Sequence, residues 1–259
     1  MSDSSIEGID EAGVASWFAA QIAGAVPPFR YELIAGGHSN LTFRVQDDNG
    51  NVYVLRRPPL GQVLATAHDM EREHRVVSAV GQTAVPVPAT LGVCEDVEVN
   101  GAPFYVMAYV EGAVLHSDIE AALITPKDRM NLSREVVEVL AELHSVEPDE
   151  IGLGDLAKRE EYLSRQLRRW SRQWEQSKTR ELDTMEEVQR LLEQHMPTQI
   201  GSTIVHGDYR LGNMLVDSGS IRAVLDWELC TLGDPLADVG YLLNNWVDPD
   251  ETPAGSSAP

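Results

Sequence analysis

The chain is short of cysteine, of positive charge and of long apolar runs. Its two cysteines, Cys94 and Cys230, lie far apart in 259 residues. They make no disulfide framework, and no CxxC or Cys/His spacing offers a zinc site. A reducing compartment is the expectation. Lysine and arginine number 20 against 41 aspartates and glutamates, a formal net charge of −21. Such a surface repels a phosphate backbone and anionic lipid, which argues against nucleic-acid and membrane partners. It names no substrate, since solubility is a sufficient reason for it. No apolar run approaches the ~20 residues that span a bilayer. The N-terminus, MSDSSIEGIDEAG, is acidic and lacks the apolar core of a signal peptide. A cytoplasmic protein is therefore expected. No repeat of roughly 20–50 residues is evident either.

What is present is ordinary globular material, 43% hydrophobic and 24% charged, long enough for one large domain or two lobes. Residues 10–24 carry Val14, Trp17, Phe18 and Ile22 on one helical stripe, and Pro27-Pro28 follows. Then come YELIA, the loop Gly36-Gly37-His38-Ser39-Asn40, LTFRVQ, a turn at Asn49-Gly50 and VYVLRR. This reads as strand, glycine loop, strand, turn, strand. A helix is expected over 67–80, and a second strand pair over 89–94 and 103–110 around Asn100-Gly101. From Glu111-Gly112 onward the pattern turns helical. Pro126 opens a helix over 126–145 with Val136, Val139, Leu140 and Leu143 in phase, and helices follow over 158–178 and 182–195. STIVHGD, NMLVD and IRAVLDW read as short strands, 235–246 as a last helix, and TPAGSSAP as a disordered tail. The expected architecture is α+β and bilobal: a small antiparallel β lobe over 1–108, a mostly helical lobe over 109–246 and a tail over 247–259.

The stretch that carries chemistry is IVHGDYRLGNMLVDSGSIRAVLDWELCTLGDPLADVG. Asp208 follows a strand end, Asn213 lies five residues on, and Asp226 ends the next apolar strand 18 residues past Asp208. Phosphoryl transfer asks a protein for one carboxylate to orient and deprotonate a hydroxyl, and for oxygen ligands to Mg²⁺ on the phosphates. The order His-x-Asp-x-x-x-x-Asn, followed by a second Asp, is that of a kinase catalytic loop. Single Asp and Asn residues often only cap turns, but the ordered set of His206, Asp208, Asn213 and Asp226 asks for more.

These segments resemble the aminoglycoside phosphotransferase superfamily, with its protein-kinase-like fold. The closest branch is that of phosphotransferase domains linked to acyl-CoA dehydrogenases. LIAGGHSNLTFRV, YVLRRPP, EREHRVV and PFYVMAYVEG extend the resemblance over about 30–246. It implies an ATP- and Mg²⁺-dependent kinase acting on a small-molecule hydroxyl, with Asp208 as catalytic base and Asn213 and Asp226 as metal ligands. Arg56 then stands where kinases carry a phosphate-pairing lysine, with Glu73, or else Glu71, as its helix partner. Gly36, Gly37, Ser39 and Asn40 cover the phosphates. Residues Ala108 to Gly112, Tyr109 among them, form the hinge for the base, beside Met107. His206 and Asp238 support the catalytic loop. Acceptors in keeping with the resemblance are an aminoglycoside-like molecule, a hydroxyacyl thioester or another metabolite alcohol.

Some features need no functional reading. Asp234 before Pro235 is explained as a helix cap. The remaining histidines show no metal spacing and are expected in surface or capping roles. Trp170 and Trp174 are expected in a core. Family members continue for many tens of residues past the equivalent of Tyr241–Trp246. Either the chain is a truncated piece or its acceptor pocket is completed otherwise, for example by a partner chain in a homodimer. A nucleotide-binding module without chemistry is the alternative reading. A protein kinase is disfavoured, since no Ala-Pro-Glu segment follows Asp226.

Overall fold

A computed structural model of the protein describes residues 6–35, 40–61, 69–115 and 124–244. The expected glycine loop at 36–39 and the tail over 247–259 lie outside them. Two compact units are present. The first takes the described residues up to Val139 together with Leu211–Glu228; the second takes Leu140–Arg210 and the described residues from Leu229. Among the described residues no helix is long and apolar enough to cross a membrane.

The first unit is built on an antiparallel sheet in the order β1-β2-β3-β5-β4. Its strands are β1 (Arg30–Ala35), β2 (Leu41–Gln46), β3 (Val52–Arg57), β4 (Thr90–Cys94) and β5 (Phe104–Ala108). The β2–β3 turn is organised by Asp47, whose carboxylate accepts from the Asn51 backbone at 2.8 Å, from Asn51 Nδ2 at 2.9 Å and from the Val26 backbone at 3.3 Å. Burial pushes the Asp47 carboxyl up, and these bonds more than offset it, holding the group below its ordinary value.

Both faces of this sheet are covered, so β3 and β5 read as nearly unbroken apolar runs. Helix α1 (Glu11–Gln21), capped by Asp10 on the Gly13 N–H at 3.0 Å, lays Val14 and Phe18 on one face. They meet Phe43, Val45, Leu55, Phe104 and Val106 in one cluster. Alternation sends Val54, Tyr105 and Met107 to the other face, where Met70 of α2 (Met70–Val80) packs on them. Helix α2 starts three residues later than expected. The Asp69 side chain caps the Arg72 N–H at 2.9 Å and so fixes the first turn.

Between β4 and β5 the expected plain turn is a short helix, α3 (Val97–Asn100). Asp96 caps its start by accepting from the Glu98 N–H at 2.9 Å, and Gly101, at φ +70°, ends it. A second small sheet, order β6-β8-β9, joins β6 (Ala113–Val114), β8 (Met214–Asp217) and β9 (Ser220–Val224). Glu135, on α4 (Pro126–Ser145), accepts from Ser220 Oγ at 3.0 Å and from the Ile221 N–H at 2.6 Å.

The division between the units falls within α4. In the second unit, β7 (Thr203–Val205) pairs antiparallel with β10 (Thr231–Gly233), and α7 (Leu236–Asn244) follows β10. Helices α5 (Tyr162–Ser177) and α6 (Asp183–Gln194) are amphipathic but sparsely buried: Tyr162 is the one buried residue of α5, and α6 has none. Trp170 is therefore half exposed rather than part of a core, and the Arg169 guanidinium lies 5.7 Å from its ring.

Leu55 is fully buried in the cluster under α1, one residue before Arg56. Leu55→Ala is expected to cost about 2–5 kcal/mol in urea unfolding. A loss below about 1 kcal/mol would contradict the packing described.

Candidate active site

The β8–β9 hairpin delivers Asn213 and Asp226 to one end. Met214 pairs with Val224, and the Leu225 N–H donates to the Asn213 carbonyl at 2.8 Å. Asn213 immediately precedes β8, and Asp226 comes two residues after β9. Asp226 has φ +64°, in the left-handed region that Asp and Asn tolerate better than other non-glycine residues. Directly after it the chain enters a short 3₁₀ turn at Trp227–Leu229, with the Trp227 indole donating to the Val224 carbonyl at 3.1 Å.

Arg56 reaches the same place from β3. Its Nε lies 3.0 and 3.2 Å from the two carboxylate oxygens of Glu73, its Nη1 donates to Thr42 Oγ1 at 3.4 Å, and its Nη2 donates to Asp226. Glu228 stands 4.0 Å away. Glu73 is the helix partner; Glu71, two residues earlier, is exposed. Burial works against the Arg56 cation, but the Glu73 and Asp226 carboxylates outweigh it and raise the guanidinium pKa, so Arg56 stays charged. Burial pushes the Glu73 carboxyl up, and Arg56 offsets part of that. The neighbouring Arg57 goes to the other face. It is buried and donates to the carbonyls of Gly8, Asn100 and Pro58. Arg57 is thus a strap for the N-terminal segment.

Thr42, Arg56, Asn213, Asp226 and Trp227 line a cavity of about 400 Å³ in the first unit. Val54, Val77, Met107, Leu215 and Val224 give it an apolar wall; Arg56, Asn213 and Asp226 make a polar end; Ala108, Tyr109 and Val110 border it. Tyr109 also lines it and is partly exposed, with the Arg44 guanidinium 5.8 Å from its ring. Asn40 is buried, and its Nδ2 donates to Glu228 Oε2 at 2.9 Å. Gly36, Gly37 and Ser39 lie outside the described residues. An amide and a carboxylate on one cavity wall suit a hard cation such as Mg²⁺, which takes few protein ligands beside phosphate oxygens. Among the described residues no group of three or more His, Cys, Asp or Glu side chains forms a metal cluster.

The second unit holds the His206-Gly207-Asp208 turn. Asp238, fully buried on α7, accepts from the His206 N–H and the Gly207 N–H, each at 2.8 Å. The Asp208 N–H donates to His206 Nδ1 at 3.2 Å. Gly207 has φ +88°, and a Cβ there would meet the Leu229 backbone oxygen at 3.0 Å, so only glycine fits. Arg210 Nε lies 3.3 Å from Asp208 Oδ1. Asp234 caps α7 by accepting from the Leu236 N–H at 3.0 Å, and it also accepts from the Ile200 N–H at 3.2 Å.

Sequence reasoning missed several of these groups. His144, expected at a surface or cap, places Nε2 3.1 Å from Asp238 Oδ2 across 94 residues of chain. Nothing local marks it, because its partner is chosen by tertiary packing. Thr42 and Tyr105 were silent for the same reason. Glu228 stood in the quoted Asp-Trp-Glu run, and its carboxylate two residues after Asp226 was the available signal.

Comparison with known proteins places the chain in a family. The model of the phosphotransferase enzyme family matches residues 30–256. Acyl-CoA dehydrogenase family member 10 of Mus musculus is 38% identical over 207 residues, 79% of this chain and 19% of that protein, so the chain spans about a fifth of its length. A Ralstonia eutropha structure, provisionally assigned as an aminoglycoside phosphotransferase, superposes with a TM-score of 0.79 at 35% identity, over 96% of this chain and 74% of that one. The streptomycin–ATP ternary complex of APH(2″)-IIa gives a TM-score of 0.66 at 20% identity over 94% of this chain and 78% of that one, a likeness of fold alone. The α+β fold is kinase-like, and the chain belongs to the phosphotransferase enzyme family.

Proposed function

We propose that the protein transfers the γ-phosphate of ATP to an alcohol hydroxyl of a small molecule. The observation that carries this reading is the convergence of Arg56, Asn213 and Asp226 at the polar end of one apolar-walled cavity. The apolar wall suits a purine, and the bordering backbone at 108–110 offers hydrogen bonds to its edge. Gly36, Gly37, Ser39 and Asn40 cover the phosphates. Arg56, aimed by Glu73, pairs with phosphate oxygens through its planar fork. Asn213 and Asp226 would hold Mg²⁺, which neutralises charge on the transferring phosphoryl group.

Asp208 orients the acceptor hydroxyl and takes its proton as the oxygen attacks phosphorus. Asp238 holds the His206-Gly207 backbone and with it the turn that presents Asp208. Streptomycin is present in the APH(2″)-IIa complex. The mouse relative's acyl-CoA dehydrogenase name makes a hydroxyacyl compound the better acceptor candidate here, with other metabolite alcohols beside it. The expected setting is the cytoplasm, and a homodimer is compatible with the reading. One contact favours a second reading, a module that binds nucleotide without turnover: Arg56 engages Asp226, the carboxylate assigned to the metal.

The test is a screen of a metabolite pool for Mg²⁺- and ATP-dependent phosphorylated products, followed by variants on the product found. Asp208→Asn is expected to lower kcat by about 10²–10⁴ with the melting temperature unchanged. Asp226→Ala is expected to abolish transfer and the Mg²⁺ dependence of nucleotide binding. Full activity in either variant would remove the assignment. Nucleotide binding with no product from any pool would favour the non-catalytic module.

A further inference from the structure

Tyr105 has no part in the mechanism above, yet it lies directly across the sheet from Arg56. Strands β3 and β5 pair in a register that sets Tyr105 directly opposite Arg56. Residues opposite each other in an antiparallel pair share a face of the sheet. Tyr105 accordingly lines the same cavity as Arg56 and Asp226. Its side chain is fully buried on the face where the buried Glu73 carboxylate meets Arg56, and the Tyr105 and Glu73 side chains interact electrostatically. A phenylalanine would fill the same apolar space without having to satisfy a buried hydroxyl. A hydrogen bond to a charged acceptor is of the stronger class.

A bond from the Tyr105 hydroxyl to Glu73 would matter because Arg56 has several carboxylates within reach: Glu73, Asp226, and Glu228 at 4.0 Å. Glu73 draws the guanidinium toward α2; Asp226 draws it toward the proposed metal ligand. Glu73 is buried and has few ways to be held. We propose that Tyr105 is a positioning residue of the nucleotide site: its hydroxyl fixes the Glu73 carboxylate, which in turn aims Arg56 at the phosphates. The inference rests on the nucleotide-site reading given above. Without the hydroxyl, Glu73 holds Arg56 less well and the guanidinium shifts its allegiance to Asp226. The loss then falls on nucleotide affinity rather than on the chemical step.

A double-mutant cycle tests this on the full chain, with Mg·ADP binding measured by isothermal titration for wild type, Tyr105→Phe, Glu73→Gln and the double variant. Melting temperatures are recorded alongside. Tyr105→Phe is expected to weaken binding about tenfold. The double variant is expected to bind no more weakly than Glu73→Gln alone, because the hydroxyl acts only through that carboxylate. Once an acceptor is found, the nucleotide KM should rise more than kcat falls. Wild-type affinity in Tyr105→Phe, or effects that simply multiply in the double variant, would overturn the proposal. Tyr105→Met, which also lacks the hydroxyl, is measured in parallel. If both Tyr105 variants fail to fold, Tyr105 is a scaffold residue and the proposal is likewise overturned. A wild-type chain that binds no Mg·ADP would instead sink the nucleotide site itself, a result distinct from unaltered binding in Tyr105→Phe.

Discussion

A guanidinium that cannot lose its charge lies nearly buried, its side chain 11% exposed, at the end of β3, and the first unit is arranged around that fact. A buried ion is costly unless it is paired and hydrogen-bonded. Arg56 is satisfied by Glu73 from α2, Thr42 from β2 and Asp226 from beyond β9. Those groups come from three separate stretches of chain. Removing Arg56 would leave the buried Glu73 carboxylate without its cation. The same cation that costs so much to bury suits the recognition of phosphate, which explains why so expensive a feature sits at the polar end of an apolar cavity.

The second unit solves a different problem, that of holding a tight turn in one conformation. Asp238 is fully buried, and it accepts two backbone N–H groups and faces a histidine from α4. Burial and the Asp238 charge push the Tyr209 hydroxyl pKa up, so that ring stays neutral beside the turn. Glycine at 207 is the remaining requirement, because φ of +88° strains any other residue and Leu229 lies 3.0 Å from where a Cβ would stand. The turn that presents Asp208 is thus held by the Asp238 carboxylate on the His206 and Gly207 N–H groups.

Much of this was legible in the sequence. Alternation along VYVLRR separates Arg56 from Arg57, and the structure sends them to opposite faces. Hydrophobic phase located α1, α2 and α4, and the hairpin signals located β2–β3 and β8–β9. Legibility ended where partners are distant. The roles of Thr42, Tyr105 and His144 depend on register and packing that no local pattern carries. Short strands such as β6 and β10 were also missed, since two or three residues give no period to detect. The short α3 escaped because Asn100-Gly101 serves equally as a turn and as a helix end. Trp170 misled in the other direction: its spacing suited a core, but α5 buries only Tyr162.

The most direct measurement of the central claim is Mg·ATP affinity in wild type and Arg56→Met, by titration with and without Mg²⁺. Wild type should bind in a Mg²⁺-dependent manner, and the folded variant should bind at least tenfold more weakly, in line with loss of a charge-assisted phosphate contact. Equal, Mg²⁺-independent binding in both proteins would contradict the account.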